Sequence, residues 1–474
     1  MDAAESKTAP RAPGTAIRLP AVAEFSLAQE VASYPKTEYS NLQFRGPLDV
    51  EAFRQAFRDA MRPMPLFHCL LEERRERGVH GLYWIVQERE NELVVEDCRD
   101  RAEQTLDPVA FIEDYHRERT IRRMDLTREF PARFFLLRLA DDVHLLSIVY
   151  HHIGFDAAQG YAFLRDLMAR YHERVTGAPP EWALAPSITS HAAAPKTFAR
   201  WSPLNLRQLH HQMNDIGRWT GGRVSLIASE KTHDELGRTC HRAVFAEPEV
   251  VRGFRKVAAR QEATVTDVLL ASIARTIGAW DRERGSARDI VRAMLAVNMR
   301  QRTAMDEAEG MRLSALFLRA ERPERMDGGA AIRHFRDARK LRLARGADVA
   351  LYEMLEFVSR VAVRVPVRFR APLFRRLYEV PTTFVLSNIG VMWPRIVDGK
   401  PTGESSLTRA GNVEIDDVHS CPSGSPAIGL TVIARSLGGK LFVNFSCDRW
   451  RFTRPEAAAL TDRIVSDLRA TALS

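Results

Sequence analysis

The stretch Tyr150-His151-His152-Ile153-Gly154-Phe155-Asp156-Ala157 lies between an apolar run at 144–150 and an amphipathic segment at 158–175. Its polar side chains therefore belong neither to a buried strand nor to a solvated helix face. Adjacent residues of an extended chain point to opposite sides, so one histidine can face a cleft while its neighbour packs beneath a sheet. Imidazole, with an unperturbed pKa of about 6.5, is the side chain best matched to accept a proton near neutrality. Gly154 lets the turn close. Asp156, four residues after His152, can fix the loop or the imidazole by hydrogen bonding or by pairing with an arginine. A second pair, His210-His211, sits among Gln208, Gln212 and Asn214 without an aspartate at that spacing, and reads as surface.

Outward from this loop, 134–139 and 144–150 form a hairpin across Ala140-Asp141-Asp142, and Tyr161, Leu164, Leu167, Met168 and Tyr171 make one buried helix stripe ended by Gly177. Upstream, 41–46 reads as a strand and Leu48-Asp49 caps a helix whose Phe53, Ala56, Phe57 and Met61 share a face. Five prolines between 178 and 203 mark a linker. The second half has strands at 242–245, 291–297, 313–318, 384–386, 413–418, 428–434 and 440–447. Helices fall at 248–261, from a Thr266 cap to 280, in a basic region at 330–378, and from 455 onward. Neither half alternates strand and helix regularly, so the fold class is α+β. The division is a disordered lead at 1–20, one lobe at 21–177, a crossover at 178–238 and a second lobe at 239–474.

With 474 residues, two cores are expected, and 45% hydrophobic with 27% charged residues is ordinary globular composition. Lys and Arg outnumber Asp and Glu by 69 to 61, and the pI near 9.4 favours anionic partners. The excess is dispersed arginine without zinc-finger spacing or RNA-type aromatic motifs, so nucleic acid is not expected as a partner. Cys69, Cys98, Cys240, Cys421 and Cys447 show no CxxC pair, which argues against a disulfide framework and a metal site and fits a reducing cytoplasm. Cys69 and Cys447 lie in apolar elements and read as packed thiols. The N-terminus lacks a signal-peptide core, and no window approaches a membrane span. The segment 358–378 alternates arginine with apolar residues around Pro366 and Pro372. Such a pattern suits either helices with arginines laid over the surface or a peripheral contact with a membrane or a lipid-like chain.

His151-His152-x-x-x-Asp156 resembles the HHxxxDG signature of the CoA-dependent acyltransferase superfamily, with Ala157 in place of the final glycine. That superfamily includes chloramphenicol acetyltransferase, peptide-synthetase condensation domains, polyketide-associated acyltransferases and wax ester synthases. The segment 41–71 is similar to its opening strand and helix, 263–271 to its V-T-x-N-D-V-L-L-A stretch, 383–390 to its S-N-x-G strand end, and 441–452 to its closing strand. The D-F-G-W-G motif of plant members is absent.

The resemblance implies two chloramphenicol-acetyltransferase-like lobes in a V-shaped pseudo-dimer, with a central tunnel entered by donor and acceptor from opposite faces. It implies that His152 is the general base and that Asp156 is structural, pairing with Arg300, or with Arg302 behind it. Ser387 and Asn388 are then oxyanion candidates near the tunnel. The implied activity is direct acyl transfer without an acyl-enzyme, metal or resident cofactor. The donor is acyl-CoA or a phosphopantetheine thioester on a carrier protein, and the S-N-x-G and closing-strand likenesses point to a hydroxyl acceptor. The alternatives are a stand-alone condensation enzyme forming amides, and a catalytically silent recruiter of carrier proteins. An inter-lobe tunnel open at both faces would separate enzyme from recruiter.

Overall fold

The computed structural model describes residues 12–474 except 33, 77, 105–107, 155, 185–209, 211–223, 226–236, 287, 300–310, 379 and 398–399. Two six-stranded sheets dominate. The first runs, edge to edge, Arg409–Ala410, Val413–Cys421, Thr37–Arg45, Val143–His151, Ala132–Arg138 and Leu93–Asp97. The second runs Leu313–Glu321, Ile290–Asn298, Thr382–Val391, Ile428–Leu437, Lys440–Asp448 and Arg238–Phe245. Thus the second half does not keep to itself. Its strand Val413–Cys421 crosses over to pair with Thr37–Arg45 of the first half and carries Arg409–Ala410 with it, so a division of the chain at 239 is crossed by two strands.

Each sheet buries one face under helices. Val50–Met61 and Ala157–Thr176 cover the first, placing Phe53, Phe57, Phe163, Leu167 and Tyr171 over Phe44, Phe134 and Leu146. Asp49 caps the former by accepting the amides of Glu51 and Ala52, and Gly177 ends the latter at φ 79° in the left-handed region. Pro248–Arg260, Val265–Glu283 and Arg454–Leu473 cover the second sheet. The cap of Val265–Glu283 is Thr264 rather than Thr266, because only Thr264 stands three residues before Asp267 and exchanges the reciprocal capping-box bonds with it. The basic region divides at Gly346 and Pro366 into Gly328–Ala344, Ala347–Ala362 and Val367–Tyr378.

Two expectations are corrected. The lead is not disordered up to residue 20: Ala16–Arg18 pairs with Val79–Val86, and Ile17 and Leu19 are buried. A three-residue strand leaves too short a pattern to read. Residues 1–11, and most of the proposed crossover, lie outside the described residues. The cysteines are not all separate either, since Cys240 and Cys421 are disulfide-bonded with Cα atoms 5.8 Å apart. They are 181 residues apart in sequence, and it is the crossing strand that brings them together. Cys69, Cys98 and Cys447 are buried and form no disulfide. No helix among the described residues is long and apolar enough to cross a membrane.

Beneath the first sheet, Tyr39 stacks on His116 at 4.3 Å and meets the edge of His419 at 5.6 Å. Burial first, then the nearby Arg242 and Arg435, push the His419 imidazole down to about 3. A histidine whose folded pKa lies below its unfolded value adds stability that is present above about pH 6.5 and lost as pH falls toward the folded value. Urea melts are expected to show stability dropping by about 1.4 kcal/mol per pH unit for this group across that window. His419→Phe should flatten the slope; an unchanged slope would show that His419 is not buried neutral.

Candidate active site

The histidines end the strand Val143–His151 and enter a turn fixed by main-chain bonds. His151 N–H donates to Pro131 O at 2.8 Å, His152 N–H to Lys36 O at 2.9 Å, and Gly154 N–H to His151 O at 2.9 Å. Gly154 is required by close approach: a Cβ there would sit 2.6 Å from the Pro131 Cβ, which cannot swing aside. Gly154→Ala is expected to displace the loop and cost about 1–3 kcal/mol of stability in denaturant melts. A melt identical to wild type would remove this account.

His151 is fully buried. Its Nδ1 accepts the Ile153 N–H at 3.3 Å, which places the proton on Nε2, 3.2 Å from Glu30 Oε1. Glu30 also accepts the Lys36 main-chain N–H at 3.0 Å and the Arg123 guanidinium at 2.6 Å. Burial raises the Glu30 carboxyl, but His151, Lys36 and Arg123 together outweigh it and hold the group below the usual range. Burial, only partly offset by Glu30, lowers the His151 imidazole. Both its nitrogens are used, so His151 supports the loop.

His152 differs. Its side chain is 27% exposed while Nδ1 is shut off from solvent, 3.5 Å from Glu38 Oε1. That spacing is an ion-pair distance, longer than a hydrogen bond. The ring therefore sets its Nδ1 edge against a carboxylate while part of the side chain remains exposed. Glu38 lies on Thr37–Arg45, in register with Tyr150 of the histidine strand. Its Oε1 accepts the Ser423 N–H at 2.7 Å and the Ser423 hydroxyl at 2.6 Å. Burial raises the Glu38 carboxyl, yet His152, the two Ser423 bonds and Arg238 prevail and hold it below its ordinary value. Glu38 is thus an ionised carboxylate in the interior, stabilised in part by the imidazole it faces.

Asp156 is buried and caps Ala157–Thr176, accepting the Gln159 N–H on Oδ1 at 3.3 Å. Its Oδ2 accepts the main-chain N–H of Arg312 at 3.1 Å. One carboxylate therefore ties the first half, just after the histidine loop, to the start of Leu313–Glu321 in the second. Arg300 and Arg302, expected from the sequence as its partners, lie outside the described residues, as does Phe155. Asn388 donates to the Thr266 hydroxyl at 2.9 Å and accepts the Gly390 N–H at 3.1 Å. Ser387 precedes it, half-buried, on Thr382–Val391. Among the described contacts, neither residue touches His152. His210 is exposed, and His211 lies outside the described residues. A cleft of about 280 Å³, lined by Leu27, Leu71, Arg123 and Met124 among others, opens onto Glu30 behind His151.

Sequence reasoning did not find Glu30, Glu38 or Ser423. The available signal was a pair of charges, Lys36 and Glu38, at the head of a strand; what it lacked was the register that sets Glu38 beside the histidines.

The residues 33–358 match the model of the Condensation domain family, and the chain belongs to that family. Condensation domains are part of the CoA-dependent acyltransferase superfamily that the motifs resemble. The chain is 31% identical over 150 residues to isonitrile lipopeptide synthase of Mycobacterium tuberculosis, covering 31% of this chain and 6% of that protein. It is 24% identical over 404 residues to a probable non-canonical nonribosomal peptide synthetase of Salinispora arenicola, covering 81% and 5%. It spans, then, only about a twentieth of the length of these relatives. Among solved structures it is similar to the first condensation domain of the CDA synthetase, with a TM-score of 0.67 at 17% identity over 98% of this chain and 97% of the other. The starter condensation domain of rhizomide synthetase, solved in complex with C8-CoA and Leu-SNAC, gives 0.65 at 15% over 97% and 95%. These likenesses define the fold as the mixed α+β, two-lobe, V-shaped architecture of condensation domains.

Proposed function

We propose that this chain transfers an acyl group from a thioester to a nucleophile, with His152 as the general base. The observation that carries this is the unequal setting of the two rings: His151 is fully buried with both nitrogens bonded, whereas the His152 side chain is 27% exposed with Nδ1 against the buried Glu38 carboxylate. Nε2 takes the proton of the attacking group as it adds to the thioester carbonyl, and Glu38 holds the Nδ1–H tautomer and offsets the imidazolium charge. Addition forms the new C–N or C–O bond; collapse of the tetrahedral intermediate restores C=O and breaks C–S, and the imidazolium proton passes to the departing thiolate. No acyl-enzyme is needed. Ser387 and Asn388 are proposed to lie along the substrate path.

The donor is acyl-CoA or a carrier-bound phosphopantetheine thioester, and the basic chain suits the phosphates of either. An amine acceptor is favoured by the likeness to a starter condensation domain solved with C8-CoA and Leu-SNAC. A hydroxyl acceptor is the second reading, favoured by the S-N-x-G likeness at 387–390. The test is thiol release from acyl-CoAs of increasing chain length, then from carrier-protein thioesters, with aminoacyl thioesters or alcohols as acceptors and products read by mass. Acceptor-dependent release gives the activity and its acceptor; no release with any pair would defeat the proposal in favour of a silent recruiter.

Glu38→Gln is expected to lower kcat about 10- to 100-fold with KM little changed. This is less than the ~10⁴ attributed to the buried aspartate of a serine-protease triad, because a contact at 3.5 Å is looser. An unchanged kcat would leave Glu38 with a purely structural part.

A further inference from the structure

The helices Ala347–Ala362 and Val367–Tyr378 have one anchored face and one bare one. On the inner side Tyr352, Leu355 and Phe374 are buried, and Phe374 stacks on Phe25 at 4.1 Å. Ser359 donates to Glu24 at 3.2 Å, and the buried Arg370 guanidinium lies 3.6 Å from the same carboxylate. On the outer side lie five of the nine exposed large apolar side chains among the described residues: Phe357, Val361, Val365, Phe369 and Leu373. Val361 and Phe369 are 63% and 61% exposed. Scattered exposed apolar residues need no explanation, but a concentration on one rigid face does.

Charge identifies what this face fits. Residues 357–378 contain six arginines and no acidic residue. Arg360, Arg364 and Arg368 are exposed among the apolar side chains, whereas Arg370 is buried and Arg375 donates to the Ala28 carbonyl at 2.9 Å. Glu356, the nearest acid before the segment, is engaged by the Ala21 N–H at 3.3 Å. Glu73, at the edge, is taken up by His80 at 3.1 Å and the Val367 N–H at 3.2 Å. The outer face is therefore apolar and cationic together, with Glu356 and Glu73 engaged.

We propose that this face docks on an anionic lipid surface. Phe357, Val361, Val365, Phe369 and Leu373 enter the headgroup–acyl boundary, and the arginines, whose stems lie along apolar surface while their guanidiniums reach outward, meet lipid phosphates. An acidic protein surface alone would satisfy the arginines and leave the phenylalanines wet; a neutral apolar partner would do the reverse. This inference is independent of the chemistry at His152.

The test floats the purified full chain with vesicles of phosphatidylcholine alone, or of equal parts phosphatidylcholine and phosphatidylglycerol. Partition onto the anionic vesicles should exceed that onto the neutral ones at least tenfold and weaken with added salt. The triple variant Arg360→Gln, Arg364→Gln, Arg368→Gln should lose affinity on the order of a hundredfold, and Val361→Ser, Phe369→Ser, Leu373→Ser should abolish flotation. Both change exposed positions and should melt within a few degrees of the wild type; should the serine triple fail to fold, the glutamine triple decides. Absence of wild-type flotation on anionic vesicles, or flotation indifferent to both triples, would overturn the proposal. So would a concentration-dependent dimer that the serine triple dissolves, since a second copy would then be the occupant.

Discussion

His152→Ala is expected to reduce acyl transfer by roughly 10² to 10⁴, the range that positioned general-base catalysis contributes. The substitution removes the only partly exposed ring of the pair, and it leaves the loop intact, because the turn is held by main-chain bonds at 151, 152 and 154. His151→Ala provides the contrast. It withdraws the partner of the buried Glu30 and should damage stability first, with any loss of rate following the melt. The two variants are compared by acceptor-dependent thiol release and by urea melts. If His151→Ala abolished the rate in a fully folded protein while His152→Ala retained it, the roles assigned to the two rings would be reversed.

Asp156→Ala is expected to cost about 2–4 kcal/mol of stability, combining loss of a helix cap with an unsatisfied buried N–H at Arg312. The effect follows from the carboxylate's two oxygens being spent on different halves of the molecule. Activity should fall as well, because the cap lies four residues beyond His152. Rate loss without a change in the denaturant midpoint would instead place Asp156 in the chemistry. A double-mutant cycle with Arg300→Ala tests the pairing that the motif resemblance implies, with a coupling of about 0.5–3 kcal/mol expected if the two are in contact.

Much of this was legible where one residue type decides one local event. Asp49 before Phe53, Ala56 and Phe57 announced a capped, half-buried helix, and Gly177 announced its counterpart's end. The histidine loop was legible because its polar residues interrupt an apolar strand and an amphipathic helix that otherwise nearly touch. What could not be read was pairing. Nothing in Thr37–Arg45 says that it lies between Val143–His151 and Val413–Cys421. Without that register, Glu38 is one more charge near a strand end, Ser423 a loop serine, and Cys240 and Cys421 two unrelated thiols. The misplaced cap at Thr266 is a smaller instance, in which two threonines two residues apart compete and only the reciprocal bonds to Asp267 choose between them.

The crossing strand also bears on how the chain is made. Thr37–Arg45 is synthesised well before its partner on one side, Val413–Cys421. Until that partner emerges, the first sheet thus has an open edge of unpaired amides and carbonyls at the strand that carries Glu38, a template for association with other chains. Contacts of such long sequence separation form slowly. Nascent or truncated chains ending before residue 413 are therefore expected to aggregate even though the segments under the histidine loop are complete, and competence for catalysis should arrive all at once, when Val413–Cys421 is laid into place.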